Sequence, residues 1–183
     1  MTLSSWENLA VCAPFVALLI VAAVTDVRAR RIPNWLTLTV TLAGLAQTLT
    51  PWRVVTPLYS IYGCLTGFIV TILLYSIGAR GAGDVKLTAG IGAWVGPAAV
   101  IVVLAAAALV SLVAALGQSA ARGRLLDLFR NSGLMLVNLV NVRRLGREHV
   151  MATGAGCKSI DRPLPNAVSM LLATVGVVMW VNG

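Results

Sequence analysis

Acid–base catalysis needs ionisable side chains, and this sequence is sparing with them. Six acids occur in 183 residues: Glu7, Asp26, Asp84, Asp127, Glu148 and Asp161. Asp127, Glu148 and Asp161 share one basic segment, where charge balance accounts for them. Glu7 precedes the first apolar run. Asp26 and Asp84 differ because each borders a long apolar run. An acid at such a border is costly and faces a protein interior or a wet cavity. Two carboxylates that meet in one cavity can share a water. One then serves as general base and the other, still protonated, as hydrogen-bond donor to a carbonyl. The neighbouring residues suit that use. Asp84 sits in Gly81-Ala82-Gly83-Asp84-Val85-Lys86-Leu87, and the two glycines free the backbone for strained angles and for close approach of another chain. An extended peptide substrate fits against them. Asp26 is followed by Arg28, Arg30 and Arg31, then by Ile32-Pro33-Asn34, where the proline suits the first turn of a helix. Asn34 and Lys86 join Gly81 and Gly83 as the expected substrate-binding residues. Taken alone, residues 81–87 equally describe a flexible turn with Asp84 capping a helix.

No other residues offer comparable chemistry. Cys12, Cys64 and Cys157 form no CxxC and no metal spacing, and buried thiols are the expectation for them. His149 is the only histidine and has no partner at metal spacing. The stretch 153–159 lacks the glycine before Lys158 and the preceding strand that a phosphate loop requires. No metal and no cofactor are expected.

The elements that must position the two aspartates are apolar. Hydrophobic residues make up 58% of the chain and charged residues 11%, against about 25% charged in soluble domains. A soluble domain and a disordered chain are both excluded. A membrane-crossing helix needs about 20 apolar residues. Five apolar stretches are evident, and the longest, 85–116, is broken by Gly96-Pro97, a turn signal. The chain is therefore predicted to be all-α, one membrane-embedded domain over 1–183. Its six transmembrane helices fall at 9–25, 35–50, 58–77, 85–95, 98–116 and 164–181, with a basic segment at 117–163. Small residues four apart, Gly63 with Gly67 and Gly92 with Gly96, predict close helix crossings.

Charge tests the count. Cytoplasmic loops hold the Lys and Arg. With the N-terminus outside and six crossings, thirteen of the fourteen basic residues face the cytoplasm and only Arg53 faces out. Five crossings would put the eight basic residues between Arg122 and Arg162 outside. The net charge of +8 is thus explained by topology, and no nucleic acid is expected. The first run is followed rather than preceded by positive charge, so it is expected to remain as a span and not to be removed as a signal peptide. The segment 117–163 fits either a basic amphipathic helix on the inner leaflet or a re-entrant hairpin. On this topology Asp26 and Asp84 lie at the same depth on the cytoplasmic side. Asp84 opens a helix and Asp26 closes one, so the helix ends favour Asp84 as the ionised base and Asp26 as the holder of the proton.

Asp26 with the Ile32-Pro33-Asn34 turn, followed by GAGDVKL at 81–87, resembles the type IV prepilin peptidases, which are GxGD membrane aspartic proteases. The resemblance runs over most of residues 9–116 in span order, and 164–181 fits the family's last span. It implies that Asp26 and Asp84 are the catalytic pair. It also implies that the substrates are prepilins or pseudopilins with a membrane-spanning N-terminal helix, cut at the cytoplasmic border of a bacterial inner membrane to remove a short basic leader. Longer members carry an N-terminal extension with a CxxC…CxxC metal site and also methylate the new N-terminus; neither cysteine pair is present here, and methylation is not expected. The compact form is similar to peptidases of tight-adherence (Flp-type) pilus systems or archaeal preflagellin peptidases. Where the family often has an aromatic–glycine pair after the proline opening the last span, this chain has Pro165-Asn166-Ala167. The alternative from another class is a small proton- or ion-coupled transporter using Asp26 and Asp84 as a relay. Internal repeats would favour it, and none is evident. A third alternative is a structural membrane subunit without catalysis.

Overall fold

The structure is a computed structural model, and it describes residues 5–50, 54–76, 80–123 and 166–182. Among these, every regular element is helical. In order they are α1 (Ser5–Ala29), α2 (Asn34–Ala46) with a 3-10 turn (Gln47–Leu49), α3 (Pro57–Ser76), α4 (Ala82–Val95), α5 (Pro97–Ala121) and α6 (Asn166–Asn182). Six helices thus stand at the six expected positions. Two of them, α3 and α5, are long and apolar enough to cross a membrane. Several boundaries differ from the expectation, and two of them bear on the site and the basic segment. Helix α1 runs on to Ala29 and takes Asp26 into its last turns, and α5 continues to Ala121 through the start of the basic segment. The remainder of that segment, residues 124–163, with its amphipathic or hairpin reading, the 153–159 stretch and His149, lies outside the described residues.

Helix α4 is the axis of the packing. Ten of its residues are buried, including Asp84 and the run from Leu87 to Trp94. Glycines let its neighbours come close. A Cβ at Gly67 would stand 2.6 Å from the Thr88 carbonyl oxygen, and one at Gly63 would stand 2.7 Å from the Gly96 Cα. The small-residue spacing read from sequence therefore is the α3–α4 crossing. Ser60 adds a polar tie, its hydroxyl donating to the Ala93 carbonyl at 2.6 Å with the Gly44 carbonyl 3.3 Å away. On the other flank Gly90 faces α2, where a Cβ would meet Val40 Cγ1 at 2.8 Å. The Trp94 ring stacks on Phe15 of α1 at 4.7 Å and donates from Nε1 to the Val40 carbonyl at 3.0 Å. The threonines that dilute α2 do not burden it, because Thr37, Thr39 and Thr41 donate to carbonyls of their own helix.

The second layer is α1, α5 and α6. Phe15, Leu19 and Ala22 of α1, Val100, Val103 and Ala107 of α5 and Ala167 and Met170 of α6 form one buried apolar cluster with Leu87 and Ile91 of α4. Outward positions on α3 and α5, such as Leu58, Leu65, Leu73, Leu109 and Val113, are exposed, while Ser60, Thr71, Thr88, Ser169 and Thr174 are buried. Large apolar side chains outside and hydroxyls inside reverse the soluble pattern. The turn at Gly96-Pro97 is present: Gly96 takes φ 85°, which glycine tolerates, and Pro97 opens α5.

Candidate active site

Asp26 reaches the site from the last turns of α1. That helix is closed by Arg30, whose φ of 50° is left-handed and whose N–H donates to the Asp26 carbonyl at 2.9 Å. A left-handed residue just past a helix reverses the chain direction, and it delivers Ile32-Pro33-Asn34 alongside the carboxyl. Pro33 stands one position earlier than expected. It is the residue before α2, extended at φ −61° and ψ 138°, and its carbonyl accepts from the Leu36 and Thr37 N–H groups at 3.1 and 3.3 Å.

Asp84 is set by the start of α4. It is the third helical residue, and its Oδ2 accepts from the N–H of Gly81, the residue before the helix, at 3.2 Å. Its own N–H donates to the Gly81 carbonyl at 3.1 Å. This is the back-reaching half of a capping box; Gly81 has no side chain to supply the other half. The capping role considered for Asp84 is therefore real and coexists with its place in a cleft. The expectation of strained glycines is corrected. Gly81 has an ordinary φ of −84°, and Gly83 is not among the described glycines of positive φ. Nor does packing exclude a side chain at either position, because the contacts a Cβ would make are of ordinary length. A Cβ at Gly83 would lie 3.4 Å from Ile32 Cβ, and one at Gly81 would lie 3.6 Å from Asp84 Oδ2.

All six residues singled out from sequence, Asp26, Asn34, Gly81, Gly83, Asp84 and Lys86, line one cleft of about 560 Å³. Lys86 donates from Nζ to Asn34 Oδ1 at 2.8 Å, which joins the starts of α4 and α2 as one wall. Arg30, Arg31 and Ile32 also line it. Asp84 is only 6% exposed, so it is a buried acid, whereas Asp26 is half-buried.

Sequence reasoning missed the residues that join the two acids. Asn166 donates from Nδ2 to Asp84 Oδ2 at 2.8 Å, and the backbone N–H of the next residue, Ala167, donates to Asp26 Oδ2 at 3.0 Å. Consecutive residues in the first turn of α6 thus hold one carboxyl each. The available signal was a polar Asn166 opening an otherwise apolar run at the depth of the two acids. The helix-end argument also changes. Asp26 closes α1, but it also faces the N-terminal end of α6, whose free N–H groups favour a carboxylate.

Asp26 lies one residue beyond the apolar run 9–25. Burial raises its carboxyl above the ordinary range; the Ala167 N–H opposes this, the Asp84 charge adds to the rise, and Arg30 opposes it. The nearby cation that counts is thus Arg30, not the Arg28 nearest in sequence.

Two carboxyls on different helices, bridged by one helix start, open into one cleft, and every described element around them is helical. The type IV leader peptidase family matches residues 13–116, more than half of the chain, and the chain belongs to that family. With membership come a leader peptidase activity in general, peptide-bond hydrolysis and prepilin substrates in general. The match spans Asp26, Asn34 and the whole of 81–87; Asn166 and Ala167 lie beyond it. No curated protein and no solved structure matches the chain.

Proposed function

We propose that this chain is a membrane aspartic endopeptidase that removes the short basic leader from type IV, Flp-like prepilins at the cytoplasmic face of a bacterial inner membrane. Asp26 and Asp84 are its catalytic pair. The observation that carries this reading is the bridge from Asn166 and Ala167, which ties each acid to one of two adjacent residues at one cleft. Family membership favours hydrolysis over the relay alternative.

Neighbouring carboxyls resist being ionised together, so one keeps a proton. Asp84, held by two hydrogen bonds on one oxygen, takes the role of the base. Asp26, raised by burial, keeps the proton. Asp84 takes a proton from water as the water attacks the scissile carbonyl. Asp26 donates a hydrogen bond to that carbonyl oxygen and stabilises its developing charge. The tetrahedral adduct collapses as Asp84 passes its proton to the leaving amine, and no covalent intermediate forms. The exposed backbone of Gly81 and Ala82 is the edge along which the extended leader lies, and the Asn34–Lys86 pair forms the facing wall. Six crossings with the N-terminus outside place this cleft on the cytoplasmic side.

Co-expression with a Flp-type prepilin tests the reading by the mobility shift of leader removal. The wild type is expected to process it, while Asp26→Asn and Asp84→Asn accumulate to normal levels and do not. Processing by either variant at near the wild-type rate would sink the assignment.

A further inference from the structure

We propose that Asn166 is a positioning residue that assigns unequal roles to the two aspartates. The proposal rests on the catalytic reading above. The donors to the pair are unevenly distributed. Asp84 receives two, the Gly81 N–H and the Asn166 amide, and both fall on Oδ2. Asp26 receives one backbone N–H, from Ala167. Among the described residues nothing bonds Asp84 Oδ1, so that oxygen is the one left for water.

A carboxylate accepts and an amide nitrogen donates, so the contact is an N–H···O bond only while Asp84 is charged or carries its proton on the other oxygen. Such a bond is stronger to the ionised form and favours it. Asn166 thereby biases the shared proton toward Asp26. It also fixes the Asp84 carboxyl plane, because two donors on one oxygen leave little rotation for the group. Because Ala167 follows directly, one rigid turn of α6 sets the separation of both acids.

The other charged groups around Asp84 are few. Asp26, Arg30, Arg31 and Lys86 line the cleft, and Arg80 precedes it in the chain. Helices α2, α5 and α6 contain no ionisable side chain, and α3 contains only Cys64 and three tyrosines, none of which lines the cleft. No second uncharged side chain donates to either carboxyl among the described residues. Removing the Asn166 amide therefore exposes its contribution directly.

The test uses the full chain in proteoliposomes with a prepilin substrate, measuring kcat and KM across pH. Asn166→Ala is expected to lower kcat at neutral pH about tenfold, roughly the effect of losing one hydrogen bond to a charged group. KM should change by no more than about twofold. The acid limb of the kcat profile should move up, and kcat should recover in part at higher pH. Asn166→Asp, nearly isosteric, adds a negative charge and should move that limb further in the same direction. Asn166→Gln, which keeps an amide donor, should restore part of the rate. A fall in kcat with an unmoved acid limb would make Asn166 merely structural and overturn the proposal, as would an unchanged kcat. Should Asn166→Ala fail to fold, an acid limb in Asn166→Asp at or below the wild-type position overturns it. Asp26→Asn and Asp84→Asn run alongside. Cleavage by either rejects the catalytic pair itself, a different failure from inactive aspartate variants combined with an unmoved limb in the Asn166 series.

Discussion

Gly63→Ala asks whether the α3–α4 crossing is what holds Asp84 in place. The added Cβ would stand 2.7 Å from the Gly96 Cα and 2.9 Å from the Gly92 carbonyl carbon, and nearer still to that carbonyl oxygen. Carbon atoms rest about 3.5–4.0 Å apart, so the two backbones must part by about 0.8 Å or more. The obstruction is backbone, which has no rotamer to swing aside. Parting the helices also stretches the buried Ser60–Ala93 hydrogen bond, now 2.6 Å. Overpacking costs about 1–3 kcal/mol, and weakening one buried hydrogen bond adds about 0.5–1.5 kcal/mol. The expected loss is therefore about 2–4 kcal/mol. At about 2–4 °C per kcal/mol for a chain of this size, the midpoint should fall by about 5–15 °C. Thermal unfolding in detergent, read by fluorescence of the buried Trp94 among the other tryptophans, measures it. Gly176→Ala is the control: it lies within α6, a Cβ there meets nothing within 4 Å, and alanine should add about 0.5–1 kcal/mol of helix stability. If Gly63→Ala melts no lower than Gly176→Ala and cleaves normally, close backbone approach does not set this crossing and the packing account is wrong.

Three further outcomes are expected. Arg30→Gln removes a charge that lowers the Asp26 carboxyl, so Asp26 should keep its proton to higher pH and the alkaline limb of cleavage should move up; a limb that stays or moves down contradicts Asp26 as the proton holder. Trp94→Phe keeps the stack on Phe15 but loses the bond to the Val40 carbonyl, which should cost about 1 kcal/mol in a melt, whereas Trp94→Ala should cost about 3–5 kcal/mol; equal losses would mean that the ring's volume is not filling the core. With native thiols replaced, an impermeant maleimide added to intact cells should label Pro97→Cys and spare Arg130→Cys, and the reverse pattern would overturn the six-crossing orientation.

Scarcity made much of the site legible. With so few acids in an apolar chain, Asp26 and Asp84 stood apart without any structure, and both line the cleft. The α3–α4 crossing was legible because glycine at four-residue spacing leaves one face bare, and Gly96-Pro97 because few other dipeptides so firmly end one helix and start another. Other features depended on tertiary contacts. Asn166 is an ordinary residue for a helix start, and only folding brings it across the chain to Asp84. The left-handed Arg30 gave no sign, since arginine has no preference for that conformation. Gly81 was read for its conformational freedom, yet its backbone is ordinary, and what it supplies is an N–H to the Asp84 carboxyl. The Asp26 environment was read from its own helix, while the opposing dipole comes from α6, far along the chain.

The helices differ in length, and that bears on the bilayer. Helix α4 has 14 residues and α2 has 13, whereas α1 and α5 have 25 each. At 1.5 Å per residue these are about 21, 20 and 38 Å, against a hydrocarbon thickness of about 30 Å. Both short helices begin at the cleft, at Asn34 and Ala82. On the six-crossing reading, with the cleft at the inner hydrocarbon boundary, their far ends stop about 9 Å short of the outer boundary. Lipids beside them must then thin or tilt, at a fraction of a kcal/mol per ångström of mismatch. On that reading membrane thickness becomes a variable of cleavage: shorter acyl chains relieve the mismatch, and thicker membranes strain the two short helices that begin at the cleft.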